Sequence, residues 1–297
     1  MAIAALVVAG GVAAASTPPG TAKQVAALVA AAPKIVSLPA RVTPSVAKAG
    51  GDTALVKAPS LNVCITGNPS LPACVFGDTH ASRTMVLFGD SHAFMWFPAV
   101  DAIAKAQRWR LVALISFGCP VSDVTVWNVD THQAETVCPK FRASMIARIN
   151  KLDPALVIVT EGFYTIDASQ HPITDPEWTA ALERSLSALH APSMKKVVIG
   201  NTILIPNPIA CLAANPSAIQ QCSRSSHNPT LVAQRAAELA GATAAKVPYV
   251  DEIRWTCSAV CTVVIGNMIA YNSAGHLSAT YATYLTAVLR AALKPEM

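Results

Sequence analysis

The chain has 297 residues, 53% of them apolar and 13% charged, so it can bury a sizeable core and is not disordered overall. Its net charge of +5 is mild. The lysines and arginines are scattered, with no basic patch and no interleaved aromatics, which argues against a nucleic-acid partner.

Residues 1–16, "MAIAALVVAGGVAAAS", carry an apolar run the length of a signal-peptide core. The run is short for a membrane span, which needs about 20 residues. Small residues around Ala13 to Ser16 suit a signal-peptidase site, but no basic residue precedes Lys23. The segment reads as an unusual signal peptide or as the end of a membrane helix, both of which export the rest of the chain, with a buried N-terminal helix as the alternative. Residues 17–60 are rich in Pro, Ala, Ser and Lys and read as a linker or as an extension of the next domain, with one helix over 22–32. Residues 61–297 form the main domain.

From Thr84 onward, strands and helices alternate. Apolar runs predict strands over 84–89, 110–116, 155–160 and 195–200. Helical spacing predicts helices over 93–107, interrupted by Pro98, and over 141–152. Asp175-Pro176 and Asn228-Pro229 are start signals, a cap followed by a first-turn proline, for helices to about 190 and 245. Residues 262–271 read as a hairpin turning at Gly266-Asn267. Ser278 can cap a last helix over 279–293. This alternation predicts an α/β fold whose central, mostly parallel sheet is covered on both faces.

The eight cysteines fall as near neighbours in sequence: Cys64 with Cys74, Cys119 with Cys138, Cys211 with Cys222, and Cys257 with Cys261. Eight cysteines allow on the order of a hundred connectivities, and proximity selects this one. Local disulfides fit an oxidising compartment. The chain has no CxxC pair, and "CSAVC" has the wrong spacing for a common zinc knuckle, so no metal site is expected.

In "VLFGDSHAFMW", residues 86–96, the first strand hands over to a helix through Gly89, Asp90, Ser91 and His92. In a parallel sheet, ligands bind outside the carboxyl ends of the strands, which is where these residues fall. A structural reading is adequate for Asp90, which can cap the helix. Ser91 at a helix N-terminus can also be a nucleophile, because the exposed N–H groups and the helix dipole favour developing negative charge. A serine hydroxyl then needs a base. His276, in "YNSAGHLS" just before the last helix, is the candidate. His92 reads as packing at the helix start or as a substrate contact. His190 reads as a helical residue, and His80, His132, His171 and His227 fall in polar loops.

"GDSHA" after a strand and "HLSATYA" before a C-terminal helix resemble the SGNH hydrolase superfamily. More narrowly, they resemble the SGNH domain fused to acyltransferase-3 membrane proteins, the O-acetyltransferases of envelope glycans. "FGCP" at 117–120, "CLAANP" at 211–216 and "CTVVIGNMIAYN" at 261–272 belong to the same ordered set. "RVTPSVAKAGGD", residues 41–52, resembles the segment that joins the membrane part to this domain.

The resemblance implies a flavodoxin-like SGNH three-layer fold without a cofactor. It implies Ser91 as nucleophile and as one oxyanion donor, Gly118 as the second donor, and His276 as base. The substrate would be an acylated glycan or acyl donor, with a membrane acyl-delivery protein or a separate membrane domain as partner. The place would be extracytoplasmic, secreted or anchored at the cell envelope. Two positions depart from the pattern. The superfamily asparagine after the third predicted strand is replaced by "TEGFYT", residues 160–165, where Tyr164 could donate instead. The aspartate expected three residues before His276 is Ser273, next to Asn272; these two, a backbone carbonyl or a distant Asp251 are the candidates to replace it. A free-standing carbohydrate O-acetyl esterase and a weakened, glycan-binding relic are the alternatives.

Overall fold

The computed structural model describes residues 18–65, 74–129 and 131–297. The leader-like residues 1–16 lie outside them. Six strands form the central sheet: β1 (Cys74–Gly77), β2 (Thr84–Gly89), β3 (Arg110–Ile115), β4 (Leu156–Thr160), β5 (Lys195–Ile199) and β6 (Tyr249–Val250). Their spatial order is β1-β3-β2-β4-β5-β6. All neighbours are parallel except β1, which runs antiparallel to β3 at one edge. The helices that build the layers around it are α1 (Ala22–Ala31), α2 (Ser91–Gln107), α3 (Cys138–Leu152), α4 (Asp175–Ala188), α5 (Pro229–Ala244), α6 (Ala279–Tyr284) and α7 (Thr286–Leu293).

Strand β2 shows why the apolar runs are continuous. Side chains alternate between the faces of a strand, and a strand covered on both faces is apolar at every position. Met85 and Leu87 join one core with α2, α6, α7 and α1, while Val86 and Phe88 join the other with α3 and α4. These four residues are at most 1% exposed. The fold is therefore the three-layer, mostly parallel α/β arrangement that the alternation predicts.

The differences from the sequence reading are local. Strand β1 carries no long apolar run, and β6 is two residues long. Helix α4 ends at Ala188, so His190 lies beyond it. The last helix breaks at Leu285 into α6 and α7. Within residues 18–60, Val25, Val29, Ala32, Ala49 and Ala54 are at most 4% exposed and belong to the α2-side core. Thr43 pairs with Met268 of the predicted hairpin, and the Gly20 N–H donates to the Tyr284 carbonyl at 2.8 Å. No helix among the described residues is long and apolar enough to cross a membrane.

Four disulfides link Cys64–Cys74, Cys119–Cys138, Cys211–Cys222 and Cys257–Cys261. The first three span sequence separations of 10, 19 and 11 residues. Crosslinks of that size stabilise by about 3 kcal/mol through the unfolded chain. Cys119–Cys138 also ties the loop after β3 to the start of α3. Non-reducing peptide mapping is expected to recover these four pairs and no free thiol; any crossed pairing would contradict this framework.

Candidate active site

The strand order places β2 between β3 and β4, so successive connections leave it to opposite sides. The carboxyl end of β2 is therefore the topological switch point, where open α/β sheets bind ligands. Gly89 ends the strand there, and only glycine fits: a Cβ would fall 1.8 Å from the Thr160 carbonyl oxygen of β4. Asp90 follows as the N-cap of α2. Its Oδ1 accepts from the His92 backbone N–H at 2.8 Å. Its Oδ2 accepts from the Gly162 N–H at 2.7 Å and from the Tyr164 hydroxyl at 2.8 Å. Asp90 thus ties the first turn of α2 to the loop after β4. Ser91 is the first helical residue, half-buried, with its backbone N–H in the turn whose donors have no intrahelical partner.

His276 lies 185 positions further along the chain, on a short ribbon in which Tyr271–Ser273 pairs with His276–Leu277. Helix α2 holds the ribbon: Met95, one turn after Ser91 on the same helix face, receives the Leu277 N–H on its sulfur at 3.3 Å. Ser91 Oγ and His276 Nε2 are 2.7 Å apart.

A chain of hydrogen bonds behind the ring fixes its tautomer. The carbonyl of Asp52, which can only accept, takes the Asn272 Nδ2–H at 3.0 Å. The Asn272 Oδ1 therefore faces Ser273, whose hydroxyl donates to it at 3.0 Å. The Ser273 oxygen, 3.1 Å from His276 Nδ1, is left to accept from an Nδ1–H. The Ala274 carbonyl accepts from the ring as well. With the proton on Nδ1, the Nε2 lone pair faces Ser91 and receives its hydroxyl hydrogen. Asp52 is itself held, its Oδ2 accepting the Thr280 N–H at 2.9 Å and its carbonyl the Ala279 N–H at 2.8 Å. A residue of the 41–52 segment thereby anchors the histidine loop.

The charges are arranged to keep this pair neutral. Burial, and then the neighbouring His92 imidazole, hold the His276 pKa down to about 4. Asp90 and the Ala274 carbonyl act in the opposite direction. Burial raises the Asp90 pKa, against its three hydrogen bonds and the pull of His276. At pH 7 His276 is therefore an unprotonated base, and among the described residues no carboxylate hydrogen-bonds to its ring.

The other sequence candidates divide as follows. Gly118, at φ 74°, lies in the loop after β3; that loop borders Gly89, because Ser116 N–H donates to the Gly89 carbonyl at 3.1 Å. Tyr164 does not donate into the site, since its hydroxyl is committed to Asp90. Glu161 turns away onto Ser122, accepting from its N–H at 2.7 Å and its hydroxyl at 2.5 Å, and burial pushes its pKa up to about 8. Asp251 pairs with Arg235 rather than with His276. Ser273 and the Ala274 carbonyl occupy the space behind His276. Among the described residues, no group of three or more His, Cys, Asp or Glu side chains could hold a metal ion. Sequence reading missed Asp52, whose signal was its place at the end of the "RVTPSVAKAGGD" stretch.

A doubly covered α/β sheet with a serine and a histidine at its switch point defines a domain of the SGNH-hydrolase type. The family model for the SGNH domain (fused to AT3 domains) matches residues 62–291, and the chain belongs to that family. No curated protein matches the sequence. Among solved structures, the periplasmic domain of the lipopolysaccharide acetyltransferase of Salmonella ser. Paratyphi A is similar, with a TM-score of 0.61 at 12% identity, over 86% of this chain and 97% of that one. A GDSL-like lipase from Bacteroides thetaiotaomicron aligns with a TM-score of 0.44 at 13% identity, over 72% of this chain and 89% of that one.

Proposed function

We propose that this is an extracytoplasmic O-acyltransferase domain that moves an acyl group, commonly acetyl, onto a cell-envelope glycan. The observation that carries the reading is the 2.7 Å approach of Ser91 Oγ to the unprotonated Nε2 of His276. In the first half-reaction the Ser91 oxygen attacks the acyl carbonyl of the donor and its proton passes to Nε2. The backbone N–H groups of Ser91 and Gly118 receive the negative charge that develops on the carbonyl oxygen. Collapse breaks the donor ester bond, and His276 returns the proton to the leaving oxygen. An acceptor hydroxyl then attacks the acyl-serine and gives its proton to Nε2; the bond to Ser91 breaks as His276 returns that proton to the Ser91 oxygen.

Four disulfides support an oxidising location. The family's fusion to AT3 domains supports a membrane-embedded acyl-delivery partner, encoded in the same chain or beside it. Hydrolysis and transfer share every step up to the acyl-serine and differ in whether water or a glycan hydroxyl takes the acyl group. The serine at position 273 supports a second reading, a glycan-binding relic, because in serine hydrolases a carboxylate in that role orients the histidine and stabilises its imidazolium.

A fluorophosphonate probe separates the readings. It is expected to label the wild-type protein and to leave Ser91→Ala unlabelled; an unlabelled wild type would support the relic. Adding an acceptor glycan to a reaction with an activated acetyl ester then distinguishes transfer, which gives acetylated glycan, from hydrolysis, which gives acetate alone.

A further inference from the structure

The imidazole of His92 has no role in the acyl-transfer steps described above, although it lies beside His276. It is 6% exposed, on the first turn of α2, and its ring centroid is 5.1 Å from that of His276. Its Nδ1 is buried without a hydrogen-bond partner. Its Nε2 lies between the loop after β4 and the turn before His276: a Cβ on Gly162 would sit 3.2 Å from it, and one on Gly275 4.0 Å. The ring therefore occupies the space that a side chain at position 162 would need.

The protonation state follows from burial. Desolvation holds the His92 pKa down to about 4, so at pH 7 the ring is neutral and carries one proton. A buried N–H without an acceptor is rarer in proteins than a buried acceptor without a donor. The orphaned Nδ1 is accordingly the bare nitrogen, and the proton sits on Nε2. The Tyr164 hydroxyl, in the same loop as Gly162, is already committed to Asp90. His92 is left with an Nε2–H on the side of its ring that faces Gly162 and Gly275, beside the His276 ring.

We infer that the Nε2–H of His92 is a third oxyanion donor, hydrogen-bonding the anionic carbonyl oxygen of the tetrahedral adduct on Ser91. The inference rests on the reading of Ser91 as nucleophile. It assigns His92 a direct contact with the reacting atoms and requires no proton to leave its ring.

The test pairs two substitutions. His92→Phe keeps a planar ring and removes the donor; His92→Gln keeps an N–H near the Nε2 position. With an activated acetyl ester, His92→Phe is expected to lose about 10²- to 10³-fold in kcat at nearly constant KM, as for removal of other oxyanion donors. His92→Gln is expected to recover at least about ten-fold of that loss. Equal losses in both folded variants, or an unchanged kcat in His92→Phe, would overturn the proposal.

A measurement on the wild-type protein guards against misfolded variants. In 15N-histidine NMR spectra, His92 is expected to be protonated at Nε2, and that proton is expected to move downfield when the fluorophosphonate occupies Ser91. A proton on Nδ1, or an Nε2–H signal indifferent to the adduct, would also overturn it. If wild-type Ser91 does not react at all, the nucleophile reading fails and takes this proposal with it. If Ser91 reacts and His92 is indifferent, this proposal alone fails.

Discussion

His276→Ala is expected to lower turnover of an activated acetyl ester at pH 7 by about 10⁴-fold, the upper range for loss of a general base. Ser91 would remain in place, but nothing else beside it can take its proton. The Asp90 carboxylate is fully buried, its Oδ1 engaged by the His92 N–H and its Oδ2 by Gly162 and Tyr164. In the tautomer inferred above from its partnerless Nδ1, the Nε2 of His92 already carries a hydrogen. The pH profile gives an independent check. The base must be neutral, so activity is present above the His276 pKa and is lost as pH falls through it. Burial sets that pKa at about 4, and the acid limb of wild-type kcat/KM is expected there instead of near the ordinary histidine value of about 6.5. His276→Ala should lose this limb along with the rate. A wild-type limb near pH 6.5 would mean that the ring is solvated or paired with a carboxylate, and a variant of wild-type activity would remove His276 from the mechanism.

The pair itself was legible because each partner sits at a junction that the sequence marks. Ser91 ends an apolar strand and opens a helix, and His276 precedes a capped helix, so a parallel sheet can bring both to one edge. The local disulfides were legible for a similar reason, because short separations leave few geometries. The groups that tune the pair were not legible. Asp52 reaches Asn272 across 220 positions and Asp90 reaches Tyr164 across 74, through single hydrogen bonds that leave no periodic trace. Tyr164 illustrates the consequence. A phenol in the right loop reads as a free donor until the buried Asp90 is seen to claim it. The switch point was hidden as well, because the alternation of strands and helices is the same for every order of parallel strands. The edge strand β1 is half-buried along its length, and its apolar stretch, Cys74 to Phe76, is too short to mark a strand.

Ser273→Asp is the second large effect, and its sign is a gain. In the wild type the Nδ1–H of His276 meets an exposed hydroxyl at 3.1 Å and the Ala274 carbonyl, both uncharged. These groups fix the tautomer but stabilise the imidazolium of the transition state only weakly. In a serine protease the reverse change, carboxylate to amide, costs about 10⁴ in turnover. The gain here should be smaller, about 10²-fold, against that ceiling. The introduced carboxylate would face the Asn272 Oδ1, an acceptor that cannot turn away without the Asn272 Nδ2–H giving up its bond to the Asp52 carbonyl. The new charge favours the protonated ring, so it raises the His276 pKa from about 4 and moves the acid limb to higher pH. Rate and limb should therefore rise together. A folded Ser273→Asp variant with neither change would show that the uncharged chain already supplies what the histidine needs. A limb that rises without a gain in rate would mean that the carboxylate reaches the ring but pulls it off the line to Ser91.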